Sequence, residues 1–198
     1  SGSSRSGNAF YHFPGSEYGT VGFRNHNGII IAADVLGSYG SLARYRNLEL
    51  YYVDLEKQCL DDGFSLKPKA LHCWLTRVMY NRRSNFDPFL NNFIIAGLEN
   101  GEPFLRTVDK LGTAYNDPVI ATGYGAYMAT PILRKAYEDN NQMNKEEAIE
   151  LLYKVMQVLF YRDARSFPKY HLGIVTKEKG VEIQGPLTLD SFWGPAAL

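Results

Sequence analysis

Arg162, Asp163, Arg165 and Ser166 fall within five residues, in the stretch FYRDARSFPKY at positions 160–170. So dense a knot of charge admits two readings. As a helix end it is ordinary, because arginine in a last turn interacts well with the helix dipole, and aspartate and serine suit the turn beyond. The other reading is that Asp163 and Ser166 belong to an active site, working or derelict.

Several chemistries have no support in the remaining residues. His12, His26, His72 and His171 are scattered and show no metal-ligand spacing with cysteine or acidic neighbours, so a metal site is not expected. A phosphate-binding glycine loop is absent, and the GYG at Gly123–Gly125 is too short to be a dinucleotide fingerprint. The Arg162–Asp163 pair lacks the glycine loop and metal-binding triplet of a kinase, and no G-x-S-x-G elbow supports a serine hydrolase. Asp61–Asp62 and Glu146–Glu147 read as a loop and a solvated helix start instead of a glycosidase pair. No cofactor is expected.

The elements that must position these residues come in blocks. TVGFRNHNGIIIAADV (20–35) reads as a hairpin, with Asn27–Gly28 expected to supply positive φ at the turn. GIIIAAD is apolar nearly throughout, as for a strand covered on both faces. A helical pattern runs from Leu48 to Leu60, and Pro68 opens a second helix with Leu71, Trp74, Leu75, Val78 and Met79 at core spacing. NRRSN ends it. Three strand-like runs follow, NNFIIAGLE, PFLRTVD and TAYNDPVIATG, the first two joined by a hairpin at Asn100–Gly101. Helices are then expected over Ala126–Asp139 and Lys145–Tyr161, the latter capped by Asn144 and Glu147. YHLGIVT and GVEIQG close the series. The order ββ, αα, βββ, αα, ββ implies an α+β fold with sheets inside and helices outside.

The 198 residues suffice for one domain with a sizeable core. Lysine plus arginine balances aspartate plus glutamate, giving zero net charge and no sign of a nucleic-acid or membrane partner. Fourteen tyrosines and eleven phenylalanines exceed what a core demands and suit a chain with large protein interfaces. Cys59 and Cys73 form no C-x-x-C, which is compatible with a reducing cytoplasmic or nuclear setting. The leading SGSSRSG lacks an apolar core and reads as a flexible leader within 1–18, followed by a domain over 19–187 and a tail over 188–198.

An N-terminal-nucleophile hydrolase fold, two antiparallel sheets between helix pairs in a four-layer αββα sandwich, fits this order. The sequence resembles one family with that fold, the proteasome beta subunits. Four segments carry the resemblance in the same order: NGIIIAADVLGSYGSLARYRN, WLTRVMYNRRSNFDPFLNN, IATGYGAYMATPILRK and VLFYRDARS. The match is nearest to a non-catalytic member of the family. In catalytic members the resemblance implies a threonine at the mature N-terminus whose α-amine acts as base. An aspartate and a lysine tune it, with a serine on a glycine turn and an Asp-x-x-Ser. Asp34 matches the first aspartate, and Asp163 and Ser166 match the Asp-x-x-Ser. Tyr124 replaces the glycine-turn serine, Leu50 stands where the lysine belongs, and Tyr18 where the nucleophile belongs. Thr20, two positions on, is the nearest candidate nucleophile, reachable by a two-residue deletion that preserves strand facing.

The resemblance thus implies a structural beta subunit of the 20S core, in a seven-membered ring with other beta and alpha subunits, in cytoplasm and nucleus. The alternatives are a threonine endopeptidase using Thr20, and a stand-alone relative binding a small molecule in the old cleft. In the family a further hairpin and the start of the next helix stand between the equivalents of Asn47 and Leu48, so the sequence is expected to omit residues there, and two more near Gly22, which leaves the lysine position unreadable. The tail LDSFWGPAAL is expected to anchor an inter-subunit contact through Phe192 and Trp193.

Overall fold

The computed structural model describes residues 9–11, 19–35, 37–39, 42–45, 51–53, 67–89, 92–123, 125–162 and 167–190. In chain order its strands are β1 (Ala9–Tyr11), β2 (Thr20–Arg24), β3 (Gly28–Asp34), β4 (Gly37–Tyr39), β5 (Leu42–Tyr45) and β6 (Tyr51–Val53). Helix α1 (Pro68–Ser84) follows, then β7 (Phe93–Glu99), β8 (Glu102–Val108), β9 (Ala114–Asn116) and β10 (Val119–Ala121). The chain continues through α2 (Gly125–Asp139), α3 (Lys145–Arg162), β11 (Lys169–Thr176) and β12 (Gly180–Thr188). The helix expected over Leu48–Leu60 lies outside the described residues.

Alternation along the strands sorts the apolar side chains into three clusters, which define the layers. Ile29, Ile31 and Ala33 of β3 meet Ile94, Ala96 and Leu105 between the two sheets. Ile30 and Ala32 point the other way, onto Leu133 of α2 and Leu152 and Val155 of α3. On the far side, Leu71, Leu75 and Met79 of α1 cover Phe93, Ile95, Phe104 and Val108. One sheet has the order β6-β1-β7-β8-β9 and the other β10-β2-β3-β11-β12, with β4-β5 a separate ribbon. All their pairings are antiparallel. The result is the layered α+β sandwich expected from the element order.

Local signals explain most boundaries. Asn144 and Glu147 exchange hydrogen bonds, Glu147 N to Asn144 Oδ1 at 2.8 Å and Asn144 N to Glu147 Oε2 at 2.9 Å, so α3 begins with the expected capping box. Asn100 and Gly101 both have positive φ (53° and 80°), the turn that matches strand twist between β7 and β8. β12 runs to Thr188, and Leu189 after it is buried.

Three expectations need correction. Asn27–Gly28 is absent from the positive-φ residues. Instead Asn25 Oδ1 accepts from Asn27 N and Gly28 N at 3.1 and 2.7 Å, and this side chain shapes the turn. Gly28 is needed for space, since a Cβ there would collide with the Val175 carbonyl oxygen. TAYNDPVIATG is not one strand: β9 joins one sheet and β10 the other, with Asp117 and Pro118 between. Trp74, assigned to the core face of α1, is 57% exposed, because it stands at the edge of the stripe formed by Leu71, Leu75 and Met79.

Candidate functional site

Thr20 opens β2, and three hydrogen-bonding contacts tie it to Thr122 beyond the end of β10. Its N–H donates to Thr122 Oγ1 at 3.1 Å, while its carbonyl accepts from Thr122 N at 2.9 Å and from Thr122 Oγ1 at 3.4 Å. Gly19 precedes it with φ of 119°, a conformation reserved for glycine, and a Cβ there would strike the Thr122 carbonyl oxygen. The chain before Thr20 therefore passes against Thr122 with no room for a side chain. Thr20 itself is fully buried, and its hydroxyl has no hydrogen-bond partner among the described residues.

Register decides what this hydroxyl can meet. Thr20 lies opposite Ala33 on β3, and Ala33 lies opposite His171 on β11. All three occupy the face turned toward the other sheet, as Ile31 and Ala33 do in their cluster. His171 is buried in the same row but two strands away, roughly 10 Å by strand spacing, too far to take a proton from Thr20. Asp34 is buried at the end of β3, and alternation puts its carboxylate on the opposite face, that of Ile30 and Ala32. Thr20 and Asp34 are thus close along the backbone but divided by the sheet.

A hydroxyl becomes a useful nucleophile when a base lies within hydrogen-bond distance. Here the nitrogen of Thr20 is a peptide amide, already donating, with no basicity to offer. The described residues supply no substitute base and no group of histidine, cysteine or acidic residues able to hold a metal. None of their helices is long and apolar enough to cross a membrane. Asp163, Ser166, Tyr124, Leu50, Tyr18, Phe192 and Trp193 lie outside the described residues. The sequence reading missed Thr122 as the partner of Thr20. Its signal was the ATG preceding Tyr124, a small hydroxyl residue between β10 and a glycine turn.

Comparison with known proteins completes the assignment. A family model described as Proteasome subunit matches residues 53–175. A protein of Xenopus laevis named proteasome subunit beta type-4 is 47% identical, over 90% of this chain and 84% of its own length. A Dictyostelium discoideum protein of the same name is 37% identical over 87% and 76%. Proteasome subunit beta type-7 of Saccharomyces cerevisiae is 35% identical over 86% and 77%. The chain belongs to the proteasome subunit family, on the beta-subunit side of it. Its alignment with the Xenopus protein has 204 positions, yet nine-tenths of 198 residues is about 178, which leaves about 26 positions where this chain has no residue. The hairpin expected between Asn47 and Leu48 falls on positions outside the described residues.

Proposed function

We propose that this chain is a non-catalytic, structural beta subunit of the 20S proteasome core, whose work is to occupy one place in a seven-membered beta ring. Its partners are neighbouring beta subunits, an alpha subunit and beta subunits of the opposing ring, and its setting is the cytoplasm and nucleus. The observation that carries the reading is Thr20: fully buried, its amide bonded to Thr122, and divided by the sheet from Asp34. The relatives named beta type-4 support the same conclusion.

The test is an epoxyketone, which couples to a threonine bearing a free α-amine, applied to the assembled particle and read by intact mass. Labelling confined to other beta subunits is expected. Stoichiometric labelling of Thr20 would instead establish the threonine-peptidase alternative. Removing one well-placed polar group from such a site commonly costs ~10²–10³ in rate. The replacement at Tyr124 should therefore lower hydrolysis by about that factor even if Thr20 were exposed by trimming.

Phe192 and Trp193 have a place in the same reading. Just before them, Asp190 is held against α3: its N–H donates to Tyr153 Oη at 3.3 Å and its carbonyl accepts from Tyr161 Oη at 3.4 Å. In this reading Phe192 and Trp193, which follow in the sequence, seat on a neighbouring subunit. Deleting Ser191–Leu198 should slow the joining of half-particles, and an unchanged rate would remove the anchor.

A further inference from the structure

Ala9–Tyr11 is encoded ahead of Gly19, yet it stands inside a sheet, between β6 and β7 in the order β6-β1-β7-β8-β9. On one edge Phe10 and Tyr11 pair with Ala96 and Ile95 of β7. On the other, Ala9, Phe10 and Tyr11 pair with Val53, Tyr52 and Tyr51 of β6. Both pairings are antiparallel, so β6 and β7 run parallel to each other across a gap one strand wide. Two strand spacings make that gap about 10 Å from axis to axis. Helix α1 comes between β6 and β7 in the sequence, as the connection of two parallel strands requires.

Both flanks of the gap depend on β1. Among the described residues β6 pairs with no other strand. β7 has β8 along one whole edge, from Phe93 to Glu99, and meets β1 on the other at Ile95 and Ala96. In an antiparallel ladder successive residues turn their N–H and C=O groups to opposite sides. One of Ile95 and Ala96 therefore addresses its backbone polar groups to β1. Both residues are fully buried, so those groups find their partner in β1 where water does not reach.

The occupant suits the place. Phe10 and Tyr11 are strand-favouring aromatics, and Pro14–Gly15 is a strand-breaking pair soon after them. The residues between Tyr11 and Thr20 can reach up to roughly 30 Å, against about 10 Å between packed sheets. One chain can therefore supply β1 to the first sheet and β2 to the second.

We propose that β6 and β7 frame an acceptor slot for one extended peptide strand, and that its occupant is this chain's own Ala9–Tyr11. The slot takes its strand by the backbone, as in strand addition to a sheet edge. Because the added strand is tethered, its effective concentration is on the order of millimolar, and three residues suffice to hold β6 on the sheet. The segment ahead of Gly19 is then a structural strand of the domain, whether or not the subunit sits in a ring.

The test is a disulfide across the pairing, in the full chain carrying Cys59→Ser and Cys73→Ser. Phe10→Cys with Ala96→Cys, and separately Tyr11→Cys with Ile95→Cys, put thiols at facing positions, where Cβ atoms lie about 4.5–5.5 Å apart. At least one pair should close under mild oxidation within a single chain, at a rate unchanged between about 1 and 100 µM protein. Phe10→Cys with Ile94→Cys is displaced diagonally to about 7–8 Å and should close roughly tenfold more slowly. As a second measurement, Phe10→Pro removes the N–H at the middle of β1. Amide exchange at Tyr51–Val53 and Ile95–Ala96 should then quicken by roughly tenfold or more, with Ile29–Ile31 of the other sheet unchanged.

Failure of both facing pairs to close, or closure no faster than the displaced pair, overturns the proposal. Closure only between two chains, rising with concentration, gives the slot to a second copy's segment and overturns it as well. So does unchanged exchange in Phe10→Pro. None of these outcomes touches the ring-subunit reading, which stands or falls with the epoxyketone labelling.

Discussion

On one side of the sandwich, α2 and α3 join the β3 sheet through eighteen buried residues among those described, and α3 starts with a reciprocal cap. On the other, α1 shares a cluster of seven buried residues among those described and starts at Lys67 with no side-chain cap. The first side leaves Tyr127 of α2 in solvent, 83% exposed. The second leaves Trp74, Tyr80 and Phe86 in solvent, at a cost of roughly 1–2 kcal/mol for the left-handed Phe86 alone. The contrast teaches that the two helical layers are tied to their sheets to different extents: the described core is larger under α2 and α3 than under α1.

Core truncation should break this asymmetry most visibly. Leu152→Ala in α3 removes a fully buried side chain and should cost about 2–5 kcal/mol, read by chemical denaturation. Leu75→Ala in α1 starts from a side chain still 8% exposed and should fall at the low end, about 2 kcal/mol. Equal losses would mean that the α1 layer is as complete as the other. Gly28→Ala tests the sheet beneath α3: the added methyl meets the Val175 carbonyl, and parting β3 from β11 should cost about 1–3 kcal/mol.

Caps should move stability in opposite directions on the two sides. Asn144→Ala removes half of the capping box and should destabilise by about 1 kcal/mol. Lys67 has extended backbone (φ −72°, ψ 154°), suited to a capping residue, so Lys67→Asp should stabilise by about 0.5–1 kcal/mol. A loss at both sites would show that the α1 start is already satisfied.

The smallest effect expected is acid sensitivity of α1. Burial lowers the pKa of His72 below its usual 6.5, against a raising bond to the Thr107 carbonyl and with a further lowering from Arg106. The unfolded chain then binds the proton more readily, so His72 contributes its full stability above pH 6.5 and loses it as pH falls through the folded value. Trp74 on the same helix reports the change by fluorescence. No loosening of α1 below pH 6.5, while the rest of the domain stays folded, would remove this difference between the layers.

What the sequence disclosed follows from how local each signal is. The Asn144–Glu147 box, the Asn100–Gly101 turn and the end of α1 at NRRSN are written within a few residues, and the structure has them all. The split of TAYNDPVIATG between two sheets depends on partners far along the chain, and strand propensity reads alike in either sheet. Asn27–Gly28 misled because Asn25, two residues earlier, offered its side chain to the same turn. At the site, the family resemblance brought Thr20 and Asp34 to notice. Only the register of β2 on β3 showed that the sheet separates them.

The place of β3 has a consequence for how the chain is made. This strand is buried along its whole length, yet its partners are unequally distant: β2 precedes it directly, whereas β11 is encoded near the other end of the chain. At synthesis rates of roughly 5–20 residues per second, one edge of GIIIAAD waits on the order of 10 s for its second neighbour. Through that interval a nascent chain displays an unpaired, β-branched apolar edge, the kind of surface on which strands of other molecules add. Shielding that edge until β11 arrives would keep nascent chains from adding to one another there.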